Sequence, residues 1–544
     1  MNPLIIPTSS PLLTQTSISH ATLGTHSSPS KSFSLPEWLV LGALVLLKLG
    51  LQYALVDSSY DLHRDEYLHL DQANHLAAGY LSVPPFTSWV AWIIKALGNG
   101  VFWVRFFPAL FGALTMVTAW KIVQELQGGW YAKVLVAGAL LFSTLLRLNM
   151  LFQPNSADIL AWTLVFYLLI RYVRWHQPKD LLWLGVVVGF GVLNKYNIAF
   201  LVVGLLPALA FSEHRRIFTQ PALYAAAVLA LLIFLPNLWW QYSHGWPVIH
   251  HMQELEATQL VNVDRGAFWL DQVLFFFGSV YLLGAALLGM MLYPGLRPYR
   301  FVGVAFVVTM LLFTYLRAKS YYAIGIYPVL LCVGAVYWEH LFRQGWKRIT
   351  RPFWIALNLL LFVPLVKVLF PVLSPTQIHA NAAPFKKYNL LKWEDGHDHE
   401  LPQDFADMLG WRELTQHVEK AFALVPVAER ANTLIICDNY GQTGAVNFYK
   451  AKDVPAAYSF NADYIFWYPT ALKVQNIVLV KEAGEAPLRE KEKPFVQSVT
   501  LIDSLSTPFA REQGARTYLL KGVSSVVGQA LVKRAHQKQQ EWRQ

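Results

Sequence analysis

Charge is scarce in this chain of 544 residues: Asp, Glu, Lys and Arg make up 14% of it, against about 25% in soluble domains. The deficit excludes an ordinary soluble enzyme, because the 55% of residues that are hydrophobic need lipid as their solvent. Cysteine is scarce as well. Cys332 lies in an apolar run and Cys437 in a polar C-terminal region, which excludes a disulfide scaffold. There is no self-similarity at solenoid periods and no glycine-rich loop of the kind that cradles a nucleotide's phosphates. Residues 1–34, rich in Ser, Thr and Pro, lack the basic and apolar regions of a signal peptide and read as a disordered cytoplasmic tail.

What is present is a succession of apolar runs near the length that crosses a bilayer. They fall at 37–56, 102–124, 130–149, 157–174, 181–194, 197–212, 221–240, 270–292, 301–316, 322–339 and 353–373, and predict a polytopic α-helical membrane domain over 35–373 with about eleven spans. With the N-terminus inside, the inner segments hold fourteen Lys and Arg against seven in the outer ones, a bias that by the positive-inside rule puts the N-terminus in the cytoplasm. The odd span count then puts the C-terminus outside. The net charge of +10 fits loops facing anionic lipid better than a nucleic-acid partner. From residue 374 charge rises and the long apolar runs stop. Trp411–Phe422 reads as an amphipathic helix, Thr433–Cys437 and Asn476–Val480 as short buried strands, and Gly444–Tyr449 as helix between them. This alternation predicts an extracytoplasmic α/β domain over 374–544.

The first outer loop, 57–101, carries the densest chemistry: Tyr60-Asp61-Leu62-His63-Arg64-Asp65-Glu66-Tyr67, continuing to Gly79-Tyr80 and Pro84-Pro85. Tyr67, Leu70, Ala73 and Leu76/Ala77 repeat at helical spacing, so this segment predicts an interfacial helix lying on the membrane and ended by Gly79. Asp65 and Glu66 stand at its start. The plain alternative is that Asp61 or Asp65 only caps the helix. Further ionisable groups fall on the same side: Arg105 near the outer end of the second span, Asp158 opening the fourth after Gln153-Pro154-Asn155, Lys195 in the turn Asn194-Lys195-Tyr196-Asn197, and Lys319-Ser320-Tyr321-Tyr322 opening the tenth. Charges at membrane depth cost a few kcal/mol, so each is a functional candidate. For Arg105 and Lys319 the alternative is snorkelling to the interface.

Transfer of a sugar from a lipid phosphate needs this combination. A carboxylate (Asp65 or Glu66) accepts the proton of an attacking hydroxyl and favours an oxocarbenium-like transition state. Lys195, Arg105, Lys319, Tyr321 and Tyr322 supply donors for the departing lipid phosphate. The histidines of the outer loops allow a second reading, in which His69, four residues after Asp65, shares a divalent cation with it.

Arg64-Asp65-Glu66-Tyr67 with Ala78-Gly79-Tyr80 and Pro84-Pro85 resembles the first outer loop of glycosyltransferase family 39, the protein O-mannosyltransferases and their bacterial relatives, close in architecture to the aminoarabinose transferases that act on lipid A. Asn194-Lys195-Tyr196, Leu235-Pro236-Asn237, Gly245-Trp246-Pro247, Lys319-Ser320-Tyr321-Tyr322, Tyr327-Pro328, Leu401-Pro402-Gln403, Phe405-Ala406-Asp407 and Asn439-Tyr440-Gly441 resemble bacterial members. The resemblance implies a GT-C architecture in a bacterial inner membrane. It also implies a polyprenyl-phosphate sugar donor, inversion at the anomeric carbon, and a catalytic base in loop one, with Asp65 first and Glu66 second. Asp158 matches a second acidic position and Lys195 a basic position that holds the lipid phosphate. No segment suggests the luminal β-trefoil of the eukaryotic mannosyltransferases, which counts against protein Ser/Thr acceptors, and the acceptor stays open among lipid, glycan and protein. A transporter or flippase for a polyprenyl-linked or amphipathic substrate is the competing reading. It expects inverted repeats and midplane charges, whereas here the charges cluster toward one side.

Overall fold

The computed structural model describes residues 35–469 and 473–542; the expected tail at 1–34 lies outside the described residues. Every one of the eleven apolar runs is helical. Among the described residues seven helices are long and apolar enough to cross a membrane alone: Pro36–Ala54, Val101–Glu125, Asn155–Trp175, Pro221–Ser243, Pro294–Tyr315, Ser320–Leu341 and Trp346–Leu369. A bent pair, Arg265–Leu274 with Phe277–Leu292, passes the same test only when taken together and is turned by 67° at its break, the geometry of a broken span or a re-entrant loop. The expected span at 130–149 is two helices, Trp130–Leu141 and Thr144–Leu148, because the Ser143 hydroxyl accepts the Leu145 N–H and caps a new start. Pro178–Asn194 and Ile198–Ala210 are correspondingly short.

Burial sorts these helices into a centre and a rim. Asn155–Trp175 and Ser320–Leu341 are 78% and 83% buried, while Pro36–Ala54 and Trp346–Leu369 are 17% and 11% buried. The rim exposes Leu46, Leu360 and Val363, side chains whose favourable solvent is lipid. The chain is an integral membrane protein. Glycines let the backbones of neighbouring helices meet. A Cβ on Gly334 would stand 2.0 Å from the Leu282 carbonyl oxygen, and one on Gly185 2.3 Å from that of Ala226.

The C-terminal region folds around a five-stranded sheet of β1 (Thr433–Cys437), β2 (Ala457–Tyr458), β3 (Asn476–Lys481), β4 (Val496–Ser504) and β5 (Arg516–Val523), in the order β2-β1-β3-β5-β4. β1 pairs in parallel with β2 and β3, whereas β5 is antiparallel to β3 and β4. The expected strands and the helices Trp411–Ala423 and Tyr440–Tyr449 are in place.

Loop one differs from its expectation in a way that decides the architecture. The helix α1 (Arg64–Asp71) ends in a short 3-10 turn, Gln72–Asn74, and does not reach Gly79. Its apolar face does not lie on lipid. Tyr67 is fully buried, 5.7 Å from the rings of Trp411, Phe448 and Tyr449 in the sheet domain. One apolar core joins Leu62, Tyr67, Leu70, Val90 and Phe152 to Phe405, Trp411, Leu414, Ile435 and Val478. The lipid-facing role falls to the next helix, α2 (Phe86–Ala96), which buries Val90, Ala91 and Ile94 and exposes Trp89, Trp92 and Ile93, a Trp-rich face suited to the membrane interface. Gly79 instead packs on Trp240, where a Cβ would come within 2.4 Å of the ring.

Candidate active site

The start of α1 is built by its own sequence. His63 is the N-cap: its Nδ1 accepts the Asp65 N–H at 3.2 Å, while the Glu66 carboxylate accepts the His63 N–H at 2.6 Å. This is a capping box with His in the usual place of Ser or Thr. The second Glu66 oxygen accepts the Phe152 N–H at 2.6 Å, so both oxygens are engaged by backbone and the residue is 1% exposed. Burial pushes the Glu66 carboxyl above its usual range, with the two N–H groups opposing it.

Asp65 points the other way and keeps 39% of its side chain exposed. One oxygen accepts the Tyr440 hydroxyl at 2.7 Å, and the other accepts Gln153 Nε2 at 3.1 Å. Burial acts to raise this carboxyl, but His63, the Tyr440 hydroxyl and Arg64 outweigh it and hold it below the ordinary carboxylate range. It is an ionised, partly open carboxylate at neutral pH.

From Asp65 a line of hydrogen bonds runs to Lys195. Gln153 Oε1 accepts Asn155 Nδ2 at 3.0 Å, and Asn155 Oδ1 accepts Lys195 Nζ at 2.8 Å. Lys195 lies 4.4 Å from the centre of the Tyr322 ring and 5.1 Å from that of Tyr321. Burial pulls it down to about 8. Asp158 supports this turn from below: it accepts Trp162 Nε1 at 3.1 Å and Asn197 Nδ2 at 2.9 Å, and Asn197 also donates to the Tyr322 carbonyl at 2.9 Å. Asp158 thus ties the Lys195 turn to the tyrosine segment.

The remaining candidates lie further off. Lys319 donates to Gln259 at 2.6 Å and forms an ion pair with Glu394, which anchors the membrane domain to the 391–400 hairpin. Arg105 is buried within electrostatic reach of Glu66 and Arg147, outside the line from Asp65 to Lys195. His69 is buried beside Gln72. Its Nδ1 is 3.4 Å from Gln72 Oε1, and among the described residues no group of three or more His, Cys, Asp or Glu is placed to hold a metal ion.

Sequence reasoning missed Gln153, Asn155 and Tyr440 as site residues. The signal for the first two was a polar pair flanking Pro154 at the mouth of a span, where polar groups are costly. Tyr440 had no local signal beyond its motif. It is brought to Asp65 by the docking of the sheet domain, which also places Asn447 Nδ2 and the Tyr464 hydroxyl on Asp71, at 2.7 and 2.8 Å, and Arg412 Nε on Asp61 at 2.8 Å.

A bundle of apolar helices, an acidic first loop at one end and a sheet domain clamped over it define the GT-C class of membrane glycosyltransferase folds. The solved structure of ArnT from Cupriavidus metallidurans bound to undecaprenyl phosphate superposes with a TM-score of 0.58 at 13% identity, over 91% of this chain and 99% of that one. Residues 82–240 match the dolichyl-phosphate-mannose-protein mannosyltransferase family. Two curated relatives from Rhizobium johnstonii are each 27% identical over 38% of this chain: the lipid A galacturonosyltransferase RgtD and the lipopolysaccharide core galacturonosyltransferase RgtB. The chain spans 44% and 42% of their lengths.

Proposed function

We propose that this protein is an inverting glycosyltransferase that moves a sugar from a polyprenyl-phosphate carrier to an acceptor hydroxyl or phosphate at the outer face of a bacterial inner membrane. The observation that carries the reading is the hydrogen-bonded line from Asp65 to Lys195, which couples an ionised, partly open carboxylate to a buried lysine beside two tyrosines. In this reading the acceptor oxygen attacks the anomeric carbon while Asp65 takes its proton. The bond from that carbon to the phosphate oxygen breaks on the opposite face. The charge that develops on the leaving polyprenyl phosphate is met by Lys195, Tyr321 and Tyr322. Arg105 and Lys319 add positive potential around the phosphate, and Asp158 holds the lysine turn. Glu66 positions α1 and does not meet substrate.

The membrane part, 35–373, with its outer loop 57–101, binds the donor. The region 374–544 closes the site from outside, and the N-terminal 34 residues remain cytoplasmic. The names of the Rhizobium relatives support a hexuronic acid as the sugar and lipid A or the lipopolysaccharide core as the acceptor, so polyprenyl-phosphate galacturonate is the first donor to offer. The decisive comparison is wild type against Asp65→Asn in detergent, with released polyprenyl phosphate and glycosylated product followed by mass spectrometry. Removal of a general base lowers turnover by about 10²–10⁴-fold. Equal release by both proteins would remove Asp65 as the base.

A further inference from the structure

Among the described residues, the C-terminal domain donates one side-chain hydrogen bond to the candidate base. Tyr440, the first residue of the helix Tyr440–Tyr449, donates its hydroxyl to Asp65 at 2.7 Å across an interface between segments 375 residues apart. Gln153 donates to the other Asp65 oxygen from the membrane side at 3.1 Å. Each Asp65 oxygen thus accepts one side-chain hydrogen bond, one from each domain, while 39% of the side chain stays exposed.

Tyr440 is itself held from several directions. The Arg64 guanidinium lies 4.2 Å from the centre of its ring, and its N–H donates to Asn461 Oδ1 at 3.2 Å. The next residue is Gly441, where a Cβ would fall 2.6 Å from Arg64 Cγ. The absence of that Cβ lets Arg64 pass beneath the ring. A phenol held this firmly costs little further entropy to order when it bonds the carboxylate.

We propose that Tyr440 is a positioning residue for glycosyl transfer: through its hydroxyl the outer domain fixes the orientation of Asp65 and keeps it ionised. The inference rests on the reading of Asp65 as the base and assigns the sheet domain a part in the chemistry beyond covering the site. The groups facing Asp65 are few. His63, Arg64 and His69 come from its own segment, Tyr440 from the sheet domain, Asp407 from the turn before Trp411, and Tyr321 from the membrane domain. Only Tyr440 and Gln153 among the described residues donate a side-chain hydrogen bond to its oxygens.

The test compares wild type, Tyr440→Phe and Tyr464→Phe for turnover of the donor between pH 4 and 8. Tyr464 makes the same kind of bond across the same interface, to Asp71, and does not touch Asp65. Loss of one hydrogen bond to a charged group corresponds to about one pH unit or more. Tyr440→Phe is therefore expected to lower kcat about tenfold, leave the donor KM within about twofold, and move the acid limb of kcat/KM upward by about one unit. Tyr464→Phe should leave that limb where it is. An unshifted limb in Tyr440→Phe, or equal shifts in both variants, would overturn the proposal, the second result reducing Tyr440 to an interface contact. Asp65→Asn, run alongside, separates the two claims. An inactive Asp65→Asn with an unshifted Tyr440→Phe removes only the role of Tyr440, whereas an active Asp65→Asn removes the base and this inference with it.

Discussion

Replacing Glu66 with Gln separates the two acids of α1. The Glu66 carboxylate takes backbone N–H groups from His63 and Phe152, both at 2.6 Å, in a place that is 1% exposed. An amide keeps one acceptor oxygen, so one of the two N–H groups must face an NH₂ donor inside the protein. A hydrogen bond to a charged group contributes about 1.5–3 kcal/mol, and a buried donor left unpaired costs about 1–3 kcal/mol. The cheaper burial of a neutral side chain returns part of this, which leaves a net loss of about 3 kcal/mol. At about 2 °C per kcal/mol for a large chain, the melting temperature should fall by roughly 6 °C. The assay is thermal unfolding in detergent by tryptophan fluorescence, with donor turnover measured in parallel at a temperature where both proteins are folded. Turnover should stay within about tenfold of wild type, because the open carboxylate of Asp65 is untouched. A Glu66→Gln protein as stable as wild type but slower by about 10²-fold or more would refute the reasoning and make Glu66 a reacting group.

Lys195 should set the alkaline side of donor binding. With its ammonium pulled down to about 8, the charged form that attracts phosphate dominates below that pH and is lost above it, so the donor KM should be flat to about pH 7.5 and rise beyond 8. Lys195→Met should raise that KM about 10–100-fold and abolish its rise with pH; a pH dependence that survives in Lys195→Met would assign it to another group. Gly444→Ala should loosen the sheet domain, since the added Cβ would fall 2.8 Å from Tyr67 Cβ, 2.9 Å from the Tyr67 carbonyl carbon and 3.0 Å from the Tyr464 hydroxyl. Overpacking of this kind costs about 1–3 kcal/mol and should appear as faster proteolysis after residue 374 together with slower turnover; an unchanged cleavage pattern would count against it.

The helices were legible because a bilayer demands long apolar runs, and each run in the sequence has its helix. Their breaks were not: nothing in the apolar composition of 130–149 marks the stop at Leu141 except the Ser143-Thr144 pair that caps the next start. In the sheet, β1 and β3 are buried and announce themselves as apolar runs. β4 is mostly exposed and β2 is two residues long, so neither leaves a clear pattern. The apolar face of α1 was legible as a face, but amphipathicity says only that something covers it. The cover is Trp411, Phe448 and Tyr449 and not lipid. Asp65 was legible as a member of an acidic pair, whereas its separation from Glu66 needed the structure, since adjacent helix positions point in different directions. The Asp65–Tyr440 contact joins positions too far apart for any local pattern to link them.

That separation also sets an order of events. A ribosome adding about 5–20 residues per second needs roughly 20–75 s to pass from Asp65 to Tyr440, 375 residues later. Loop one and the Lys195 turn emerge first, and in that interval the acid stands without the hydroxyl that orients it. A chain interrupted after its last membrane helix would hold Asp65, Gln153, Asn155 and Lys195 without Tyr440. On the proposed reading, the complete set of groups around Asp65 exists only once the sheet domain has docked and brought Tyr440 to it.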